Sequence, residues 1–183
     1  IYFWVLKPAA KGYMAVVPEG ARVSVGNFIS NATSPIRFAN CLLQLNFKGA
    51  GKELARLLLN STFGVAGLFD VSKDVFHISK QDEDFGQTLG FWGLKPIFFI
   101  EWPLFGPSSL RDTVGMTGDS FFDPHSYFLR SYSAYFGVTV FEKVNQTSLT
   151  IGVYEDLIQA ALDPYVAVRD AYFQYRENKI KER

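Results

Sequence analysis

Asp82, Glu83 and Asp84 run into Phe85-Gly86 within the segment "DEDFGQTLGFWG". An Asp-Phe-Gly triplet can hold magnesium on a nucleotide, but only beside a lysine strand, a catalytic-loop Asp with its Asn, and a glycine-rich loop over the phosphates. None accompanies it here, so the triplet does not signify phosphoryl transfer. "NFKGAGKEL" fails as a phosphate loop, because Asn46 stands where a glycine must precede Gly51-Lys52 and Glu53 follows where Ser or Thr is required. Hydrolysis lacks its Gly-x-Ser-x-Gly elbow, and sequence leaves open a triad of distant residues, for instance Ser108 or Ser109 with His125 and Asp119. His77, His125 and Cys41 are too scattered to form a metal cluster, and the acids lack the alternating spacing of a calcium loop. No catalytic residue, metal or cofactor is therefore expected.

The elements that would position any site read as helices. In "GKELARLLLNSTF", Leu54, Leu57, Leu58 and Phe63 recur at helical spacing, with a stop near Gly64. Upstream, Ser34 is a candidate cap with Pro35 in the first turn, and Gly49 follows the last apolar turn. Ser109–Phe122, Pro124–Phe136, Val138–Gln146 and Leu149–Leu162 read as further helices separated by Gly, Pro or Asn. Asp163 and Pro164 open a last helix striped by Tyr165, Val168, Tyr172 and Tyr175, beyond which "RENKIKER" reads as too polar to pack. "ARVSV" is β-branched, yet no series of alternating strands exists. The expected class is all-α, in one domain over residues 1–183.

Eighteen basic and eighteen acidic residues cancel in this 183-residue chain, which removes the basic footprint of a nucleic-acid binder. Aromatic residues are abundant instead. Seven fall between Phe85 and Leu110, where Lys95 and Glu101 are the only charges, and eight between Ser120 and Phe141. Prolines, Gly137 and the charges keep both stretches from being membrane spans, which need ~20 predominantly apolar residues. They suit a deep core or an interfacial position. Cys41, in apolar "FANCLLQL", reads as a small buried hydrophobe. Gly86, Gly90 and Gly93 would share one face of a helix and let another backbone approach, or supply positive φ in a loop.

Five segments in order, "LKPAAKGYMAVVPEGARVSVGNFISN", "LLLNSTFGVAGLFDVS", "DEDFGQTLGFWG", "WPLFGPSSLRDTVG" and "DPYVAVRDAYFQYR", make the chain resemble the MlaA/VacJ family of bacterial outer-membrane lipoproteins. The resemblance spans nearly the whole chain. It departs in lacking the family's lipobox cysteine, tether and first helix, and in Ile97-Phe98 where many members have Gly-Pro. What the resemblance implies is a ring-like helical body in the periplasmic leaflet of the outer membrane, lipid-anchored in the full-length protein and pierced by an amphipathic channel. Through it, mislocalised phospholipid would pass to a soluble periplasmic lipid-carrier protein, without bond chemistry and beside a trimeric porin partner.

On that resemblance, Asn27, Phe28, Leu110, Arg111 and Asp112 are candidates for shaping the passage, with Phe85 and Gly86 bordering it. Arg111 would either meet a phosphate or brace a helix through Asp112. Phe91, Trp92, Phe98, Phe99 and Trp102 are candidates for a membrane-facing belt, or else ordinary core aromatics. Two rival functions remain: an envelope lipid hydrolase, and a porin-associated scaffold with no transfer activity.

Overall fold

A computed structural model describes residues 2–129 and 131–181. A π-helical turn (Tyr2–Leu6) leads into α1 (Lys7–Val16), which Pro18 stops by holding Val17 in extended conformation. Then come α2 (Glu19–Ala32), α3 (Ser34–Leu43) and α4 (Phe47–Thr62). Short helices α5 (Val71–Asp74) and α6 (Phe85–Phe91) follow, and a β-hairpin of β1 (Phe99–Trp102) and β2 (Gly106–Ser109) feeds α7 (Leu110–Asp119). The chain closes with α8 (Pro124–Phe128), α9 (Tyr132–Thr150), α10 (Val153–Ala160) and α11 (Pro164–Lys181). The class is all-α, with one small sheet.

Short polar residues fix most helix starts. Asn46, Asp70, Asp84, Ser109 and Asp123 each accept a bond from a backbone amide in the first turn of α4, α5, α6, α7 and α8. Gly49 therefore does not end a helix. It sits inside α4, where a Cβ would lie 2.6 Å from the capping Asn46 side chain. Thr33, not Ser34, occupies the boundary before α3; the Ser34 hydroxyl accepts from Arg37 within the helix. Asp163 and Pro164 do open α11, through bonds from the Tyr165 and Val166 amides to the Asp163 carboxylate.

Other expectations are corrected by tertiary partners. α9 runs straight through Gly137, and the break falls instead between Phe128 and Tyr132. Tyr13 packs edge-on to Phe141, and Asn145 and Ser148 exchange bonds with Arg22, so contacts with α1 and α2 hold α9 against the glycine's low propensity. The helix expected over Leu149–Leu162 is cut at Gly152, which has φ +104°. "ARVSV" lies within α2. The hairpin pairs Phe99 with Ser109 and Trp102 with Gly106, although "GPSS" carries no strand propensity. "RENKIKER", far from being unpacked, continues α11 to Lys181 and contributes buried Arg176.

The helices close a ring. α3 packs on α6, α6 on α7 and α11, α11 on α10, α1 on α9, and α2 on both α9 and α3. Lys7 Nζ, 2.7 Å from Glu155 Oε1, and the edge-to-face rings of Tyr2 and Tyr154 join the two ends of the circuit.

Burial is inverted relative to a water-soluble protein. The buried apolar side chains among the described residues are Leu6, Ala10, Ile29, Cys41, Ala50 and Val168, while buried polar and charged ones are far more numerous. Outside, Trp4, Phe98, Phe128 and Tyr132 are 88%, 74%, 82% and 96% exposed. The accessible surface is 11023 Å², against about 8,900 Å² for a compact soluble chain of this mass. Soluble monomers rarely expose so many large apolar side chains together with so few buried ones. No helix among the described residues is long and apolar enough to cross a membrane.

Candidate functional site

The ring encloses a cavity made of two contiguous lobes of about 540 and 830 Å³, which share Arg37, Asp82, Asp84, Phe105, Lys143 and Gln146. Its wall is amphipathic. α9 contributes Tyr135, Thr139, Glu142 and Gln146, a polar stripe at helical spacing, with Lys143 alongside. α10 and α11 contribute Tyr154, Leu157, Val168 and Tyr175, and the hairpin tip inserts Phe105. Charged groups of both signs and apolar rings thus face one space, suited to a molecule with a polar and an apolar end.

Arg176 holds the wall between α6, α7 and α11. Its guanidinium donates to both Asp84 oxygens, one by Nη1 and one by Nη2, the latter at 2.8 Å, and Nη2 also donates to Asp112 Oδ1 at 2.8 Å. Asp112 further accepts from Arg111 Nε (2.9 Å), the Ser109 hydroxyl (3.0 Å) and the Tyr172 hydroxyl. Burial pushes the Asp112 carboxyl up, but the bond from Arg111 and the charge and bond of Arg176 outweigh it and hold it at about 2. Asp84 is likewise held below its ordinary value, burial being outweighed by Arg176 and Gln87.

The glycines make this junction possible. α6 and α7 cross where Gly86 meets Gly115, so closely that a Cβ on Gly115 would lie 2.7 Å from Gly86 Cα. Gly90, on the same face of α6, leaves room for Arg111, while Gly93 has φ +94° in the loop beyond. Both readings of the glycine spacing hold, each for different residues.

A second polar cluster braces the far side. Glu53, fully buried, accepts from Arg37 Nε at 2.8 Å and from the Gln81 amide at 2.7 Å, while Arg56 joins α4 to Asp70 and to the Ile78 carbonyl.

Asp119 faces the cavity and behaves differently from its acidic neighbours. Burial and then the nearby Asp84 charge push its carboxyl up to about 7, against bonds from the Asn40 side chain and the Phe85 amide. The folded state binds this proton more tightly than the unfolded chain does, so stability from this group is lost as pH rises from about 4 to about 7 and is level above that. Asp119→Asn, which keeps an oxygen for Asn40 and the Phe85 amide, should remove that decline. Urea unfolding in detergent at about pH 5 and about pH 8 checks it; an unchanged pH slope would place the titration elsewhere.

The distant triad is not assembled. Ser109 Oγ bonds Asp112, Ser108 Oγ bonds the Thr113 hydroxyl, and both serines are buried, whereas His125 Nδ1 lies 3.1 Å from Asp123. No group of three or more His, Cys, Asp or Glu able to hold a metal occurs among the described residues.

A sequence model of the MlaA lipoprotein matches residues 1–179. The chain belongs to the MlaA lipoprotein family. It is 29% identical to the intermembrane phospholipid transport system lipoprotein MlaA of Escherichia coli K12, the match covering 93% of this chain and 68% of that protein. An uncharacterized protein of Rickettsia felis is 30% identical, covering 97% of this chain and 70% of its own length. Among solved structures, a chain from "Structural basis for maintenance of bacterial outer membrane lipid asymmetry" superposes with TM-score 0.78 at 28% identity, covering 98% of this chain and 89% of that one.

The residues singled out by resemblance to the MlaA family separate into groups. Phe85, Gly86, Arg111 and Asp112 meet at the α6–α7–α11 junction, with Leu110 exposed beside them. Asn27 lies on α2, donating to the Leu68 carbonyl, and Phe28 beside it is 45% exposed. Arg111 both braces Asp112 and lines a separate cavity outside the ring wall. Of the aromatic belt, Phe91, Trp92, Phe98 and Trp102 are exposed, Trp92 and Trp102 donating their indole N–H to Leu43 and Thr113. Phe99 instead packs edge-on among Tyr165, Tyr172 and Phe173. Sequence reasoning passed over Arg37, Phe105, Lys143 and Gln146 in the cavity wall. For Lys143 and Gln146 the available signal was the spacing of Tyr135, Thr139, Glu142 and Gln146 along α9; Arg37 and Phe105 carried none.

Proposed function

We propose that this chain is a non-enzymatic phospholipid-transport component of the outer membrane that lies in the periplasmic leaflet, receives mislocalised phospholipid from the outer leaflet, and passes it to a soluble periplasmic carrier. The single observation that carries the reading is the inverted burial: apolar rings outward, and charged and polar side chains inward around an amphipathic cavity. An apolar exterior with no spanning helix among the described residues fits a body immersed in one leaflet. A phospholipid headgroup must be screened from a hydrocarbon core ~30 Å thick, and the cavity's Arg37, Lys143, Asp84 and Gln146 offer that screen while its rings accept acyl chains. The name of the E. coli relative supports this assignment. A porin trimer is the partner proposed to hold the ring in place.

The test is transfer of labelled phospholipid from vesicles to a periplasmic carrier by the full-length protein. Gln146 lines both lobes from an exposed position on α9. Gln146→Trp should therefore obstruct the passage and bring transfer down to the protein-free level with the helical circular dichroism unchanged. Undiminished transfer would move the route out of the cavity. Mass spectrometry of the same reactions separates the hydrolase, which would release lysolipid or fatty acid; a scaffold would bind porin yet transfer nothing.

A further inference from the structure

Outside the ring wall, on the far side of the Arg176 junction, lies a separate cavity of about 520 Å³ between the end of α6 with the 93–96 loop and the end of α11. Lys95, Arg111 and Lys181 line it against one acid, Glu177, which Lys181 pairs at 2.8 Å. Lys95 has no carboxylate within ion-pairing distance among the described residues, so it leaves the cavity a surplus positive charge. Arg111 is buried, yet its guanidinium is only partly engaged: Nε and Nη2 donate to Asp112 and Nη1 to the Leu94 carbonyl at 3.3 Å. A guanidinium has five N–H donors, so one on each Nη stays available. Gly90 leaves room for the guanidinium beside Ile180, since a Cβ there would lie 2.7 Å from Arg111 Nη1 and closer still to Ile180 Cδ1.

We propose that this cavity is a second binding site, for a phosphate-bearing ligand whose anionic oxygens are held by Lys95 and the spare Nη donors of Arg111. A guanidinium edge beside an ammonium matches a phosphate or phosphodiester better than a carboxylate-free apolar ligand. The surroundings favour a lipid headgroup over free phosphate, for Leu94, Ile97 and Phe98 are exposed around Lys95 and offer acyl chains an apolar face. That choice of source rests on the membrane placement proposed above; the phosphate chemistry does not. Because Arg176 lines both cavities, this site sits directly behind the wall of the central one.

The experiment places a benzophenone photocrosslinker at Leu94, in this cavity, or at Phe105, in the central one, in the full-length protein in nanodiscs of phosphatidylethanolamine and phosphatidylglycerol. A lipid adduct at Leu94 should fall about tenfold in Lys95→Glu, as loss of one charge-assisted contact implies, and return in Lys95→Arg, with the Phe105 adduct unchanged. Lys95 is exposed, so these variants should fold. An adduct that survives excess inorganic phosphate identifies a lipid headgroup; one displaced by it identifies the free anion at the same donors. A Leu94 adduct indifferent to the charge at Lys95 would be bulk-lipid contact and would overturn the proposal, as would no Leu94 adduct while Phe105 still labels. Labelling at Leu94 alone would uphold this site and count against the central passage.

Discussion

Arg176→Ala should lower the stability of the fold by about 3–5 kcal/mol, the usual result of stripping the partner from buried ionised groups. Among the described residues, the substitution leaves Asp112, 7% exposed at its side chain, with only Arg111 for a cation, and leaves Asp84, 34% exposed, with none. Asp112 should carry the larger share, because water can partly replace the guanidinium at Asp84. Lysine should not rescue, since one ammonium cannot span two carboxylates in the forked arrangement. Urea unfolding in detergent, followed by circular dichroism, reads the loss. The sign of its pH dependence follows from the depressed carboxylates. Their contribution is fully present above the ordinary carboxylate value of about 4 and fades as pH falls toward about 2. Parent and variant should therefore converge in acid. A gap that persists at the lowest pH would mean that lost packing of the arginine stem, not charge, sets the cost.

Gly115→Ala should cost about 3 kcal/mol, at the upper end for an inserted methyl group, because the obstruction is backbone. The new Cβ would meet the Gly86 amide and Cα and the Phe85 carbonyl carbon, so α6 and α7 must separate and pull on the Asp84–Arg176–Asp112 bonds that join them to α11. Gly118→Ala should cost less, since it meets the ring of Phe85, 2.6 Å away at Cγ, which can turn. Gly137→Ala provides the opposite sign. Nothing lies within 4 Å of a Cβ there and the residue is helical, so alanine should stabilise by roughly 0.5–1 kcal/mol. Denaturant midpoints of the three variants check the order; a Gly115→Ala protein as stable as Gly137→Ala would mean the helices do not cross this closely.

How much of this was legible in the sequence depended on how far apart the interacting residues lie. The cap and first turn of α11 are local, and Asp163-Pro164 announced them. The end of the same helix was misread because what holds Arg176 lies 92 and 64 residues away, at Asp84 and Asp112. A charge run with a distant partner looks like a solvated face until the fold is known. The hairpin was hidden for a similar reason: β2 is held by register with β1, not by the propensities of Gly106 to Ser109. Class and family needed only periodicity and ordered motifs. The cavity needed convergence of α3, α9, α10, α11 and the hairpin, which no single stretch encodes.

The inverted burial also governs how the fold responds to temperature. For a soluble protein, unfolding wets apolar surface and raises the heat capacity, which bends the stability curve into a dome with a cold limb. Here the side chains released from the interior are largely arginines, carboxylates, amides and hydroxyls, whose hydration changes heat capacity in the opposite direction. On the proposed placement in the leaflet, the exposed apolar rings would stay in lipid or detergent before and after unfolding and contribute little change. With so small a heat-capacity change the stability curve is expected to be nearly straight and to lack a cold limb, so the margin should go on growing as the temperature falls.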